Sequence, residues 1–241
     1  IENEEKKDLE LFLENWINKK INLVLKSLID LKNSKESKSN IRALSYQLYE
    51  NNGVVKRENV TDYLIKLDQE DRKILRNIGV KFGRYHIYLY KLLKPEAVYL
   101  RLLLWKNYHQ KYFDFKPPKF GLNFMESDQK LNKNFMLICG FEKFDRYYVR
   151  VDILERLFIQ IINSNNENKQ DIMLVPEMLN LLGCSKDNFV KLIKKMNYKS
   201  TEKENKIYFR YFPLKNKDYK NNSKKINKDS PFKILRELRI K

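Results

Sequence analysis

The chain of 241 residues has little cysteine, histidine, glycine or proline: two, two, six and six. Each shortage narrows the function. Cys139 and Cys184 are far apart and have no metal-ligand spacing, so they read as buried free thiols in a reducing, cytoplasmic setting. His86 and His109 have no cysteine pair or carboxylates at ligand spacing, which argues against a zinc site. Scarce glycine and proline favour helices over a turn-rich sheet fold. No glycine-rich phosphate loop ends in lysine and serine or threonine, so ATP hydrolysis by this chain alone is not expected, and neither is a bound cofactor. No apolar run is long enough to span a bilayer and no signal peptide opens the chain, so no membrane partner is expected. Ile1 is not an initiator methionine, which implies a start within a longer protein.

Basic charge is what the chain does have. Lysine and arginine number 49 against 31 acidic residues, a net charge of +18. Such an excess concentrates phosphate around a protein. The abundance of lysine and asparagine is also what an AT-rich coding sequence produces, so part of the charge is compositional. The length and a hydrophobic content of 42% suit one large domain or two small ones.

The expected fold is mainly α: a helical bundle-like unit over 1–116, a linker over 117–134, and a small winged-helix-like α+β unit over 135–214. A basic tail with a short terminal helix follows over 215–241. Apolar residues at three- and four-residue steps predict a long helix over 8–31, packed on more than one side. Lys32–Asn40 reads as a loop, followed by helices at 41–51 and 57–67. Asp68 caps a helix over 69–77 that Gly79 ends. Val80–Leu89 reads either as a short strand or as an extended segment wedged between helices. Pro95 starts a helix reaching about Lys111.

In the second unit, Phe135–Phe141 reads as a short apolar strand and Asp152 as the cap of a helix over 152–163. Ser164–Lys169 is a polar loop. Pro176 opens a helix ending at Leu182, and Ser185 caps the next, whose Phe189, Leu192, Ile193 and Met196 face inward. Lys199–Lys206 reads as a charged turn before a strand at Ile207–Phe212. This order is that of a helix-turn-helix with a partial wing. In the tail, Phe232, Leu235 and Leu238 share a helical face.

Between Arg76 and Lys111 aromatic and basic residues interleave, and no nucleophile accompanies them. Lys81 and Arg84 flank Gly83, where the backbone can approach phosphate closely. Tyr85 and its tyrosine neighbours would stack on unpaired bases or fill the core. His86 reads by default as a hydrogen-bonded core or interface residue, with nucleic-acid contact as the alternative. Lys94 and Arg101 extend the basic set. In the second unit the candidates are Lys186, Lys191, Lys194 and Lys195 on a helix and Arg210 on the following strand. That helix has few residues suited to bidentate base contacts, which argues against sequence-specific readout.

Several pieces together resemble a known family: Asp71–Leu89, Leu92–Ala97, Leu102–Trp105, Val149–Leu157, Leu182–Phe189, Ser230–Leu238 and the Trp16 helix. Their order and spacing are similar to the region after the motor domains in bacterial Suv3-like helicases, relatives of the mitochondrial Suv3 RNA helicase found especially in alphaproteobacteria. The resemblance covers most of the chain. It implies an accessory region beside two upstream RecA-like motor domains, with ATP and magnesium bound there and not here. Gly79, Lys81, Gly83, Arg84, His86, Lys94 and Pro95 are its most recognisable positions.

Three functional readings follow. The first is a helicase accessory region that guides single-stranded RNA or DNA or steadies the motor. The second is a non-catalytic protein–protein scaffold. The third is a winged-helix nucleic-acid-binding regulator.

Overall fold

A computed structural model describes residues 2–33, 38–109, 116–129, 131–164 and 171–212. The tail with Phe232, Leu235 and Leu238, all of 165–170 and the middle of the Lys32–Asn40 loop lie outside these residues, as does the expected end of the Pro95 helix at Lys111.

The fold is mainly α with three small antiparallel sheets. It opens with α1 (Glu2–Val24), α2 (Lys26–Lys32) and α3 (Ser39–Glu50). Then come β1 (Val54–Lys56), α4 (Thr61–Ile65), α5 (Gln69–Ile78), β2 (Val80–Phe82) and β3 (His86–Leu89). Helix α6 (Pro95–His109) leads to β4 (Phe124–Glu126), α7 (Lys133–Ile138), β5 (Phe141–Phe144) and β6 (Tyr147–Arg150). The chain continues through α8 (Val151–Asn163), β7 (Ile172–Met173), α9 (Pro176–Leu182), α10 (Lys186–Lys195), β8 (Tyr198–Lys203) and β9 (Lys206–Tyr211).

The sheets repeat one topology. Their strand orders are β1-β3-β2, β4-β6-β5 and β7-β9-β8, so the last strand of each set always lies in the middle. In the first and third sets one helix precedes the first strand and two follow it, ahead of the closing hairpin. That is winged-helix topology, expected in the third unit and present in the first as well. The middle set is a shortened version with α7 alone between its first two strands. Val80–Leu89 therefore resolves into the β2–β3 hairpin of the first unit. Phe124–Glu126, inside the stretch read as a linker, supplies an edge strand to β6.

Local chemistry explains most boundaries. Asp68 and Asp71 form a reciprocal capping box at the start of α5. Gly79 ends that helix at φ 111°, a conformation that costs glycine nothing. Pro95 and Pro176 occupy the first turns of α6 and α9, and the Ser185 hydroxyl accepts from the Asn188 N–H to cap α10. Phe189, Leu192 and Ile193 on α10 are fully buried, with Met196 just beyond it.

Four expectations need correction. Phe135–Ile138 is helical, not extended, because the Asn132 side chain accepts from the N–H groups of Asn134 and Phe135 and starts a turn there; the strand begins only at Phe141. Tyr198–Lys203 is a strand and not a charged turn. Glu204 and Asn205, at φ 50° and 59°, make a two-residue hairpin turn whose positive dihedrals match strand twist. Asp152 does not cap α8. It lies in the first turn and pairs with Arg150 at 2.7 Å. The long amino-terminal helix breaks at Leu25 and is not packed on several sides, since residues 3–19 are all exposed.

Candidate nucleic-acid interface

The first and third units share a topology but treat their hairpins in opposite ways. In the first unit both faces of the sheet are covered. Val55, Val80, Ile87 and Leu89 face the core built by α2–α5. On the other face Val54 and Tyr88 pack on Val151 at the start of α8.

The β2–β3 turn is captured as well. The Glu155 carboxylate, on α8, accepts from three consecutive backbone N–H groups, those of Arg84, Tyr85 and His86, the last two at 2.9 Å. A Cβ on Gly83 would lie 2.6 Å from both carboxylate oxygens, so only glycine admits the carboxylate this close. Next to it, His86 is 2% exposed. Its Nε2 donates to Glu142 of β5 at 2.9 Å, and Lys56 of β1 reaches the other Glu142 oxygen at 2.8 Å. Burial disfavours charge on His86, but its hydrogen bond to Glu142 and the nearby Glu155 carboxylate outweigh it and raise its pKa. Glu142 is shifted the other way: burial opposes its charge, and His86 and Lys56 overcome that and lower its pKa. One network thus ties the first, middle and third units together.

This placement corrects several candidates. His86 is a buried joint residue, the default reading, and cannot meet nucleic acid here. Arg101 is 2% exposed and donates to the carbonyl oxygens of Asn52, Leu92, Ala97 and Ile138, binding α6 to the α3–β1 turn and to the end of α7. Desolvation pulls its guanidinium down to about 10, still charged at neutral pH. Tyr85 is half-buried and edge-on to Phe158 at 5.4 Å, and burial raises its pKa. It is not a free stacking platform. Arg84 is exposed but lies over the Phe158 ring at 5.5 Å. Lys81 and Lys94 are exposed, Lys81 over Tyr90 at 5.3 Å.

In the third unit the outer sheet face is open. Registry pairs Lys203 with Lys206, Thr201 with Tyr208 and Lys199 with Arg210. Alternation puts these six side chains on one face, opposite the buried Tyr198 and Phe209. Phe212 extends the row, 43% exposed, with the Lys199 ammonium 4.4 Å above its ring. Arg210 is half-buried and held by Asp171 at 2.8 Å. Lys203 and Lys206 are exposed at the hairpin tip and make no ion pair among the described residues.

Helix α10 lies on the other side of this sheet and presents Lys186, Lys191, Lys194 and Lys195 to solvent. Lys186 pairs with Glu202 at 3.5 Å and Lys195 with Asp145 at 2.8 Å, which leaves Lys191 and Lys194 without an acidic partner among the described residues. Lys199, Lys203 and Lys206 lie in the segment expected as a turn and Tyr208 in the expected strand, and the hairpin brings them to one face. Reading Ile207–Phe212 backwards across a two-residue turn would have found them.

No family model, curated protein or solved structure compared with the chain matches it. Among the described residues no helix is long and apolar enough to cross a membrane.

Proposed function

We propose that the chain is a non-catalytic nucleic-acid-binding region whose third unit holds a single strand on the outer face of the β7-β9-β8 sheet. The observation that carries this is the row Lys203–Lys206, Thr201–Tyr208 and Lys199–Arg210, continued by Phe212. Basic side chains alternating with rings, Phe212 exposed and Tyr208 half-buried, suit an unpaired strand, since lysines meet phosphates while rings stack on bases regardless of sequence. The first unit serves as the joint that fixes the third unit's orientation. In a longer parent this matches the accessory role that the resemblance to Suv3-like helicases implies, with the RecA-like motor upstream supplying ATP chemistry.

The test is fluorescence anisotropy of a labelled single-stranded RNA, with matched DNA and duplex, across a salt series. The reading expects single strands to bind more tightly than duplex. Changing Lys199, Lys203 and Lys206 to Ala should reduce the log–log salt slope by about 2, at roughly 0.7 per lost phosphate contact. Lys81→Ala with Arg84→Ala should change binding less. An unchanged slope in the triple variant would move the site elsewhere.

A further inference from the structure

We infer that α1 is a self-association element: two copies of this chain pair through the exposed part of α1, antiparallel and about a two-fold axis. The helix has 23 residues, about 35 Å at 1.5 Å per residue, but only its end joins the body. Ile21 and Val24 pack on the first unit's core, and Lys20 pairs with Glu96 at the start of α6. Residues 3–19 are exposed along their whole length. Most of a helix's stability in a protein comes from packing an apolar face, and this part of α1 packs none.

The exposed part also carries an apolar stripe. Leu9, Phe12, Leu13, Trp16 and Ile17 recur at three- and four-residue steps and are 57%, 65%, 46%, 57% and 47% exposed. Ile21 and Val24 continue the stripe at the same spacing, and both pack on the core. The stripe is therefore the outward continuation of a packing face.

Two features favour a second copy as the occupant. The five side chains expose on the order of 600 Å² per copy, so a symmetric pair would bury about 1,200 Å², the lower bound for stable specific interfaces. The charge of the helix is also divided. Glu2, Glu4, Glu5, Asp8 and Glu10 outnumber Lys6 and Lys7 in its first half, and Lys19 and Lys20 outnumber Glu14 in its second. An antiparallel partner brings opposite charges together, whereas a parallel one stacks like on like.

Sedimentation velocity on the full chain between 1 and 100 µM tests this. The expected species has twice the chain mass of 29.3 kDa, and Phe12→Glu with Trp16→Glu should give monomer with the rest of the far-UV circular dichroism intact. A wild-type monomer at the highest concentration would overturn the proposal. So would a dimer that survives both substitutions. Orientation is read by oxidising a mixture of Asp8→Cys and Lys19→Cys chains: excess mixed disulfide supports the antiparallel pair, and like-with-like disulfide alone contradicts it.

Discussion

Removing the Glu155 carboxylate should uncouple the first unit from the third. The carboxylate receives N–H groups from Arg84, Tyr85 and His86, residues about seventy positions away in the chain. Hydrogen bonds to a charged acceptor contribute about 1.5–3 kcal/mol each, less than additively when one acceptor serves several donors. The Arg84 amide would regain water, but that of buried His86 would not. Glu155→Ala should therefore cost about 3–5 kcal/mol, lowering Tm by roughly 6–20 °C at the 2–4 °C per kcal/mol expected for this chain length.

Gly83→Ala attacks the same contact from the other side. Its Cβ would stand 2.6 Å from both oxygens and expel the carboxylate. With Glu155 already alanine, the three atoms nearest to that Cβ are gone. The double-mutant cycle is therefore strongly non-additive: Gly83→Ala should cost about 2–4 kcal/mol alone and under about 1 kcal/mol in the Glu155→Ala background. Urea unfolding followed by far-UV circular dichroism measures all four corners. Additive costs, or a Glu155→Ala cost below about 1 kcal/mol, would refute the carboxylate nest as the joint.

Other predictions follow from the same contacts. Arg101→Met leaves the carbonyls of Asn52, Leu92 and Ile138 without their donor, and should cost about 2–4 kcal/mol by urea unfolding, with Arg101→Lys recovering part of it. The His86–Glu142 pair makes stability depend on pH on both sides. The raised His86 contributes stability that is complete below its ordinary 6.5 and is lost as pH climbs through its higher folded value, while the lowered Glu142 contributes stability present above 4.5 and lost as pH falls through its lower folded value. The contribution should be flat between those pH values in urea midpoints, and His86→Gln should remove the alkaline decline. At the β8–β9 turn, Glu204→Asn with Asn205→Gly suits the positive dihedrals better and should stabilise by about 0.5–1 kcal/mol in thermal melts. Cys139 is buried, and desolvation pushes its thiol up to about 12, so it should react with a disulfide reagent only on unfolding.

Features set by neighbours in sequence were legible in advance. Asp68, Gly79, Pro95, Pro176 and Ser185 act within one turn of themselves, and the inward face of α10 follows from helical periodicity. Features set by distant partners were not. Nothing near Glu155 indicates that its donors lie in another unit, so a basic, glycine-containing stretch read as a phosphate cradle when an internal carboxylate fills it. Arg101 shows the same limit, since no local pattern marks an arginine whose partners are all backbone carbonyls. Phe135–Phe141 is a short apolar run that periodicity cannot assign, and the Asn132 cap decides it. Tyr198–Lys203 is too polar to announce a strand, and with it went the basic, aromatic sheet face. The winged topology of the first unit was hidden because its strands β1 and β2 have three residues each.

The most direct test of the central claim is photo-crosslinking of the full chain to a single-stranded RNA carrying 4-thiouridine, with the joined peptides mapped by mass spectrometry. The account predicts crosslinks on Tyr208 or Phe212, reduced when Lys203 and Lys206 are alanine. Crosslinks confined to Tyr85, Tyr88 or Tyr90, with Tyr208 and Phe212 untouched, would contradict it and return the binding site to the first unit's hairpin.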